Sequence, residues 1–402
     1  MAYIDEKLIE FNNYLKNKKV AVIGLGVSNI PLLEYLHKIK SKVTVFDDRN
    51  IEDIPKEIMD KITKFTFEFS FGENNLSKLV GFDLIFRSPS VMPYKTELIK
   101  ERERGAIITS EIEMVLKLTP SKTIGITGTE GTTTTTTIIY EILKHAGYNC
   151  FLGGNIGKPL FTLVEDMKPE DYVILEMSSF QLIDMDISPD IAVVTNIFPD
   201  HLNVHRSYEE YREAKKNIFK HQNENGIVVL NYDDEYTREF EKDAKGKKIF
   251  FSSKEKLRDG YIYDNIDETI KFCEDNIRRH IINKNEIKLK GIHNYENISA
   301  ALAATSSITD IDVAVEAIKE FKGVENRLEF VRQSDWVKWY NYSIGTSPAS
   351  TIVGLNSSEE NIILLAGDSY KGLDYESIAK KVKTLILTGP TAEKIESVSN
   401  EK

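Results

Sequence analysis

Short, wholly apolar runs recur along the chain, separated by longer stretches whose apolar residues fall three and four positions apart. Val20-Ala21-Val22-Ile23, Val43-Thr44-Val45-Phe46 and Leu84-Ile85-Phe86 come first. Around residue 109 the pattern restarts with Thr123-Ile124-Gly125-Ile126, Tyr172-Val173-Ile174-Leu175, Ile191-Ala192-Val193-Val194 and Gly226-Ile227-Val228-Val229-Leu230. A run that is apolar at consecutive positions has no water-facing side. It predicts strands of parallel sheets covered by helices on both faces. The stretches between supply those helices: Ile138, Ile139, Ile142 and Leu143 share one helical face, as do Ile298, Ala301 and Leu302. Residues 240–290 are polar and predict a less regular segment. From Gly323 a third segment starts, with strands expected at Trp336–Tyr340, Ile362–Leu365 and Thr384–Leu387. The predicted class is α/β, in three domains at residues 1–109, 110–323 and 324–402.

Composition narrows the setting. The 402 residues are 41% hydrophobic and 29% charged, which is ordinary for globular domains and long enough for two or three cores. A net charge of −11 argues against a general nucleic-acid surface. Cys150 and Cys273 are far apart and lack metal-ligand spacing, which fits a reducing, cytoplasmic environment. No basic-then-apolar leader opens the chain, and no apolar run approaches the roughly 20 residues of a membrane helix.

Two turns carry candidate phosphate chemistry. Gly24-Leu25-Gly26-Val27-Ser28-Asn29 follows the first strand, and Asp47 and Asp48 close the next one, about 20 residues on. That is the spacing of a dinucleotide βαβ unit, weakened by Asn29 at the third glycine position. The second turn, Gly128-Thr129-Glu130-Gly131-Thr132-Thr133-Thr134, lies between an apolar strand and a helix. Glycines there let backbone N–H groups approach phosphate oxygens at a helix start. A P-loop ends in lysine followed by serine or threonine; here Thr132 holds the lysine position and Thr133 the hydroxyl position. Ligands of open α/β sheets collect beyond the carboxyl ends of the strands. Two more polar clusters lie at such ends, Glu176-Met177-Ser178-Ser179-Phe180-Gln181 and Thr195-Asn196 through Asp200-His201. A carboxylate, an imidazole and a hydroxyl beside a phosphate turn suit Mg²⁺ on nucleotide phosphates. Taken singly, Glu176 also fits a helix-start carboxylate and His201 a turn residue.

At this point the chain resembles the Mur ligases, in the D-glutamate-adding branch. The likeness runs from Val20 to about Pro390. It rests on Gly24–Ser28, Arg87-Ser88-Pro89, Gly125–Gly131, Gly153-Gly154-Asn155-Ile156-Gly157 and Leu175–Leu182. It continues through Asn196…Asp200-His201, Tyr211…Ala214-Lys215, Gly291–Asn297, Glu325–Glu329, Ser343–Thr346 and Ala366-Gly367-Asp368…Lys371-Gly372. The resemblance implies a Rossmann-like first domain for a UDP-sugar, a central P-loop-type ATPase domain, and a Rossmann-like third domain for an amino acid. It implies an ATP-dependent amide ligase of peptidoglycan-precursor synthesis, joining D-glutamate to UDP-N-acetylmuramoyl-L-alanine through an acyl phosphate. It further implies a cytoplasmic monomer using ATP and Mg²⁺, with no nucleic-acid or membrane partner.

The same resemblance assigns roles. Glu176 and His201 would hold Mg²⁺ and orient the UDP-substrate alongside Asn155, with Thr133 on the nucleotide's metal. Lys215 matches a carbamylated lysine that ligates a second Mg²⁺; spacing alone reads it as a solvated helix lysine. Gly128, Thr129, Gly131 and Thr134 would cradle phosphates, Asn294 and Asn297 face adenine, and Arg327 meet the phosphates. Gly26, Val27, Ser28, Asp47, Asp48 and Ser88 would hold the UDP-substrate, although the aspartates also read as a strand-end turn. Thr346 and Lys371 would bind D-glutamate carboxylates, or else pass as surface loop residues.

Four departures bear on activity. Thr132 replaces the P-loop lysine, Tyr342 a typical aspartate and Asn326 the usual histidine before Arg327. The closing Ser-Pro-Ala stretch and its phenylalanine do not appear before Lys402, so an incomplete third domain is expected. Impaired catalysis is the expectation, with Thr132 counted among the catalytic positions. Two alternatives stand beside it: a non-catalytic relative that still binds UDP-muramoyl-alanine or nucleotide, and a folylpolyglutamate- or cyanophycin-type ligase. The first βαβ unit and Ser178–Gln181 weigh against the latter. A nicotinamide dehydrogenase leaves the second glycine turn unexplained.

Overall fold

A computed structural model describes residues 6–343, 345, 348–356, 361–367, 378 and 381–399. They divide into two compact units, residues 1–132 with 143–249 and residues 133–142 with 250–402.

The first unit opens with α1 (Glu6–Leu15) and a five-stranded parallel sheet. Its strands are β1 (Lys19–Ile23), β2 (Lys42–Asp47), β3 (Glu68–Phe71), β4 (Leu84–Arg87) and β5 (Ile107–Thr109), in the order β3-β2-β1-β4-β5. Helices α2 (Asn29–Lys38), α3 (Lys56–Ile62) and α4 (Thr96–Glu103) connect them. Ala21, Ile23, Phe46, Ile85 and Leu98 bury one face of this sheet together. The residue that breaks the glycine fingerprint has a structural use. Asn29 Nδ2 donates to the carbonyls of Ile23 (3.1 Å) and Gly24 (2.8 Å), tying the turn to the start of α2.

Helix α5 (Glu111–Leu118), capped by Ser110 Oγ accepting from Glu113 N, leads to the second sheet. Its strands are β6 (Lys122–Thr127), β7 (Cys150–Gly154), β8 (Tyr172–Glu176), β9 (Ile191–Val194) and β10 (Ile227–Asn231). They lie parallel in the order β10-β9-β6-β8-β7. Strands β8 and β9 are buried throughout, as their unbroken apolar runs require. The connecting helices are α6 (Thr132–His145), α7 (Ser179–Leu182), α8 (Tyr208–Lys220) and α9 (Glu235–Phe240). Six consecutive threonines are a weak helix start, because β-branched side chains lose rotamer freedom there. Thr133, Thr134, Thr135 and Thr136 are buried, so packing carries this helix where propensity does not.

In the second unit, the stretch expected to be irregular is largely β-structure. It holds β11 (Lys247–Ser252), β12 (Gly260–Asp264), β13 (Thr269–Glu274) and β14 (Ile277–Asn283). β12, β13 and β14 pair antiparallel. β14 is exposed at most positions, and that one-sided burial made its sequence polar. Helices α10 (Ile292–Thr305) and α11 (Ile311–Glu320) follow, with α10 packed against β12. Then come a hairpin of β15 (Glu329–Ser334) and β16 (Val337–Asn341), α12 (Pro348–Leu355), the parallel pair β17 (Ile363–Gly367) and β18 (Thr384–Thr388), and a closing helix Ala392–Ser399.

Candidate active site

Three neighbouring strands, β9, β6 and β8, end side by side, because Ile126 pairs with Glu176 and Thr127 with Val194. The glycine turn, the Glu176 cluster and the Thr195–Asn196 cluster therefore share one edge of the sheet. The turn is shaped by that edge. Asn196 Oδ1 accepts from Glu130 N (2.9 Å), its Nδ2 donates to Glu130 O (3.0 Å), and Thr195 Oγ1 donates to the same carbonyl (2.7 Å). At Gly128 any Cβ would stand 1.8 Å from Thr195 Oγ1, so only glycine fits.

Glu176 is buried, and its two oxygens differ. Oε1 accepts from Asn155 Nδ2 (3.0 Å) and Thr132 Oγ1 (3.3 Å). Oε2 is buried without a hydrogen-bond partner. The Asn155 backbone also donates to Glu176 O at 2.7 Å, close packing that Gly154 permits at φ +92°. Directly after the strand, Ser178 caps α7 in a reciprocal box with Gln181. Glu176 is thus a strand-end group, and the helix start is served by another residue.

Lys215 is buried on α8, not solvated. Its ammonium donates to Gly128 O (2.6 Å) and Thr127 Oγ1 (3.3 Å) and lies 4.9 Å from the Tyr211 ring centre. Burial pulls its pKa down to about 7, against the upward pull of Asp200 and Glu176. Amine and ammonium are therefore both accessible near neutrality. Thr129 Oγ1 meets the Tyr211 hydroxyl at 2.9 Å, and burial keeps that phenol neutral.

His201 stands apart from these contacts. It is exposed, has φ +53°, and faces Asp200, with Nε2 3.4 Å from a carboxylate oxygen. Its ring meets Phe180 edge-on at 5.1 Å. At the first sheet, Gly26 and Val27 are exposed and Ser28 precedes α2 without a side-chain cap bond. Asp48 is exposed, whereas Asp47 is turned inward: it accepts from Leu25 N (2.7 Å) and pairs with Arg49 (2.7 Å). Burial raises the Asp47 carboxyl, but Arg49 and the backbone donors hold it below its ordinary value. Ser88 sits against Gly24, where a Cβ would come 2.9 Å from the Ser88 Cβ. Beside it, Arg87 is buried and bonds Asp184 (2.5 Å), the Phe180 carbonyl (3.2 Å) and the Val91 carbonyl (2.8 Å).

In the second unit, Thr133 and Thr134 are buried on α6, and Asn294 and Asn297 share one face of α10. Asn294 Nδ2 donates to Lys290 O (2.7 Å), and Asn297 Oδ1 accepts from Thr135 (3.3 Å). Arg327 lies near His293, whose pKa burial and that charge lower to about 4; Arg327 Nε is buried without a hydrogen-bond partner. Asn326, at φ +62°, accepts from Asn341 Nδ2 (2.8 Å) and so closes the β15–β16 hairpin. Thr346 and Lys371 lie outside the described residues.

A magnesium ion fits the donor set through the unpartnered oxygen of Glu176, although no three His, Cys, Asp or Glu side chains cluster among the described residues. Sequence reasoning did not single out Tyr211, His205 or the Phe180 ring as site residues. A third aromatic or imidazole after Asp200-His201 was the available signal.

The Mur ligase middle domain matches residues 126–305, and the Mur ligase MurD-like N-terminal domain matches residues 18–110. The UDP-N-acetylmuramoylalanine–D-glutamate ligase of Clostridium acetobutylicum is 44% identical over 390 residues, covering 96% of this chain and 84% of that protein. The chain belongs to the Mur ligase family. The ligase of the same name from Clostridium tetani is 45% identical over 391 residues, again covering 96% of this chain and 84% of that protein. Among solved structures, the UDP-N-acetylmuramate–alanine ligase of Thermotoga maritima shares the Mur ligase fold at TM-score 0.58 and 20% identity, covering 95% of this chain and 88% of that one. A pseudomurein peptide ligase type C from Methanothermus fervidus does so at TM-score 0.57 and 21% identity, over 96% and 87% of the two chains.

Proposed function

We propose that this Mur ligase joins D-glutamate to UDP-N-acetylmuramoyl-L-alanine at the expense of ATP, in the cytoplasm, with turnover weakened by Thr132. The observation that carries the substrate assignment is the near-whole-length similarity to D-glutamate ligases at 44–45% identity. A free carboxylate is a poor electrophile at neutral pH. Its oxygen attacks the γ-phosphorus of ATP and ADP leaves; the incoming amine then attacks the acyl carbon, displaces inorganic phosphate and sheds a proton, leaving the amide. Catalysis of this kind is positioning and charge neutralisation.

In this reading Glu176 would hold Mg²⁺ with its unpartnered oxygen, while Asn155 and Thr132 orient the other. The bound ion would neutralise developing phosphate charge. Lys215, close to neutral in its buried setting, is suited to take up carbon dioxide and present a carbamate as a further oxygen ligand. The glycine turn, Gly128 to Gly131, contributes backbone to the phosphates. His201 and Ser88 are assigned to the UDP-substrate. Asn294, Asn297 and Arg327 are assigned to the nucleotide in the second unit.

Purified chain incubated with UDP-N-acetylmuramoyl-L-alanine, D-glutamate, ATP and Mg²⁺ should form ADP and the coupled product together, read by mass spectrometry. Coupling of a different amino acid in preference to D-glutamate would overturn the assignment. A second reading, binding without turnover, is favoured by the missing P-loop cation; calorimetry showing both ligands bound with no ADP formed would select it.

A further inference from the structure

The His205 side chain is fully buried and contacts Ser179, Phe180, Tyr211 and Glu210. Its Nε2 lies 2.9 Å from Ser179 Oγ, three residues beyond Glu176. Its Nδ1 stands 3.5 Å from Glu210 Oε2 and makes no hydrogen bond, yet that carboxylate favours the tautomer with the proton on Nδ1. Ser179 then donates its hydroxyl proton to Nε2. One face of the imidazole stacks on Phe180 (5.1 Å between centres, 8° between planes), and that phenyl also meets His201 edge-on. The imidazole also meets Tyr211 edge-on at 5.4 Å, and Tyr211 holds Thr129 of the glycine turn through its hydroxyl and underlies the Lys215 ammonium.

Two chains of contact therefore leave one side chain. One runs through Ser179 and Phe180 to the Glu176 strand end and the His201 loop. The other runs through Tyr211 to Thr129 and Lys215. The loop bearing His201 is tied down on either side, by Thr129 at Phe198 and by Tyr94 at Val204, whereas His201 itself is exposed, at positive φ, with its side chain against Asp200 and Phe180. We propose that His205 is a positioning residue that couples the loop assigned to the UDP-substrate to the turn assigned to the nucleotide, so that filling one site orders the other. The imidazole suits this task because it offers a flat face, an edge and an acceptor at once. The inference rests on the ligand assignments made above for those two loops.

Coupling between two sites is a ratio of affinities, and it is reciprocal. The test measures binding of UDP-N-acetylmuramoyl-L-alanine by calorimetry, with and without a non-hydrolysable ATP analogue and Mg²⁺. In the unaltered chain the nucleotide should tighten the sugar nucleotide at least about fivefold, the lower end of ordinary couplings. His205→Leu removes both the stack on Phe180 and the Ser179 bond, and should bring that ratio to about one. Tyr211→Phe keeps the ring and removes the tie to Thr129, and should do the same; it decides the matter if the His205 variant does not fold. A purely structural role would lower the melting temperature and leave the ratio intact, which would overturn the proposal. An unaltered chain that binds both ligands without coupling also overturns it, and leaves the ligase reading standing. A chain that binds neither ligand sinks both.

Discussion

Placing a lysine at position 132 tests the phosphate-binding role proposed for the glycine turn and the proposed cost of Thr132. Thr132 opens α6 directly after Gly131, with its hydroxyl 3.3 Å from Glu176 Oε1, so a longer side chain there extends along the edge where the three strands end. A cation about 4 Å from a phosphate oxygen gains up to ~4 kcal/mol at an effective dielectric near 20. Halving that for incomplete approach leaves ~2 kcal/mol. The threonine hydroxyl already supplies one neutral hydrogen bond, about 1 kcal/mol net, which is subtracted. Thr132→Lys should therefore gain about 1–3 kcal/mol, a roughly fivefold to 150-fold rise in phosphoryl transfer. Thr132→Met provides the control, having reach without charge. The assay is ADP formation dependent on both UDP-N-acetylmuramoyl-L-alanine and D-glutamate, with nucleotide affinity measured alongside. If the lysine variant performs no better than the methionine variant, the electrostatic argument is refuted.

Glu111 gives a pH prediction: burial lifts its carboxyl to about 7 although it accepts from Leu160 N and Phe161 N, so the folded chain binds the extra proton between about pH 4.5 and 7 and loses stability as pH rises through that window. Glu111→Gln should flatten this slope, up to about 1.4 kcal/mol per pH unit, in urea melts at pH 5 and 7. Gly154→Ala would put a Cβ 2.0 Å from the Glu176 carbonyl oxygen at φ +92°, and should destabilise by about 2–4 kcal/mol in chemical denaturation while disturbing the Glu176 strand end. Arg87→Leu would leave Asp184 with only the Arg102 contact at 3.3 Å, and should cost about 3–5 kcal/mol by the same measurement, whereas a loss below about 1 kcal/mol would show the buried pair to be dispensable.

The parallel sheets were legible because strands covered on both faces must be apolar at every position, and β8 and β9 are. The β12–β14 sheet was not, because β14 has only Ile281 and Ile282 turned away from water and so resembles loop composition. Chemistry placed by backbone geometry was also legible: the glycine turn, Glu176 and Asn196 follow from strand ends alone. Chemistry placed by side-chain contact was not. Lys215 reads as a solvated helix residue until α8 is seen to bury it, and His205 carries no local signal for a ring stack on Phe180. Asp47 shows the opposite case, a promising strand-end carboxylate already engaged by Arg49 two residues later, a pairing its own turn makes possible.

The departures from the family pattern differ in how the surrounding structure has absorbed them. Tyr342 fills space that only glycines leave: a Cβ at Gly354 would meet its ring at 2.6 Å and one at Gly345 at 2.8 Å. Asn326 adopts a positive φ that asparagine tolerates readily, and it holds a hairpin together. These two residues are integrated into local packing, so reverting either one alone disturbs its neighbours. Thr132 meets the Glu176 carboxylate. Its contact to Glu176 is long, on an oxygen that Asn155 already serves at shorter range. Along the same sheet edge lie the buried Glu176 carboxylate and Lys215, whose ammonium is engaged by Gly128 O and Thr127 Oγ1. On the proposed reading, charge is what position 132 lacks, and Thr132→Lys should therefore change turnover more than reverting Tyr342 or Asn326.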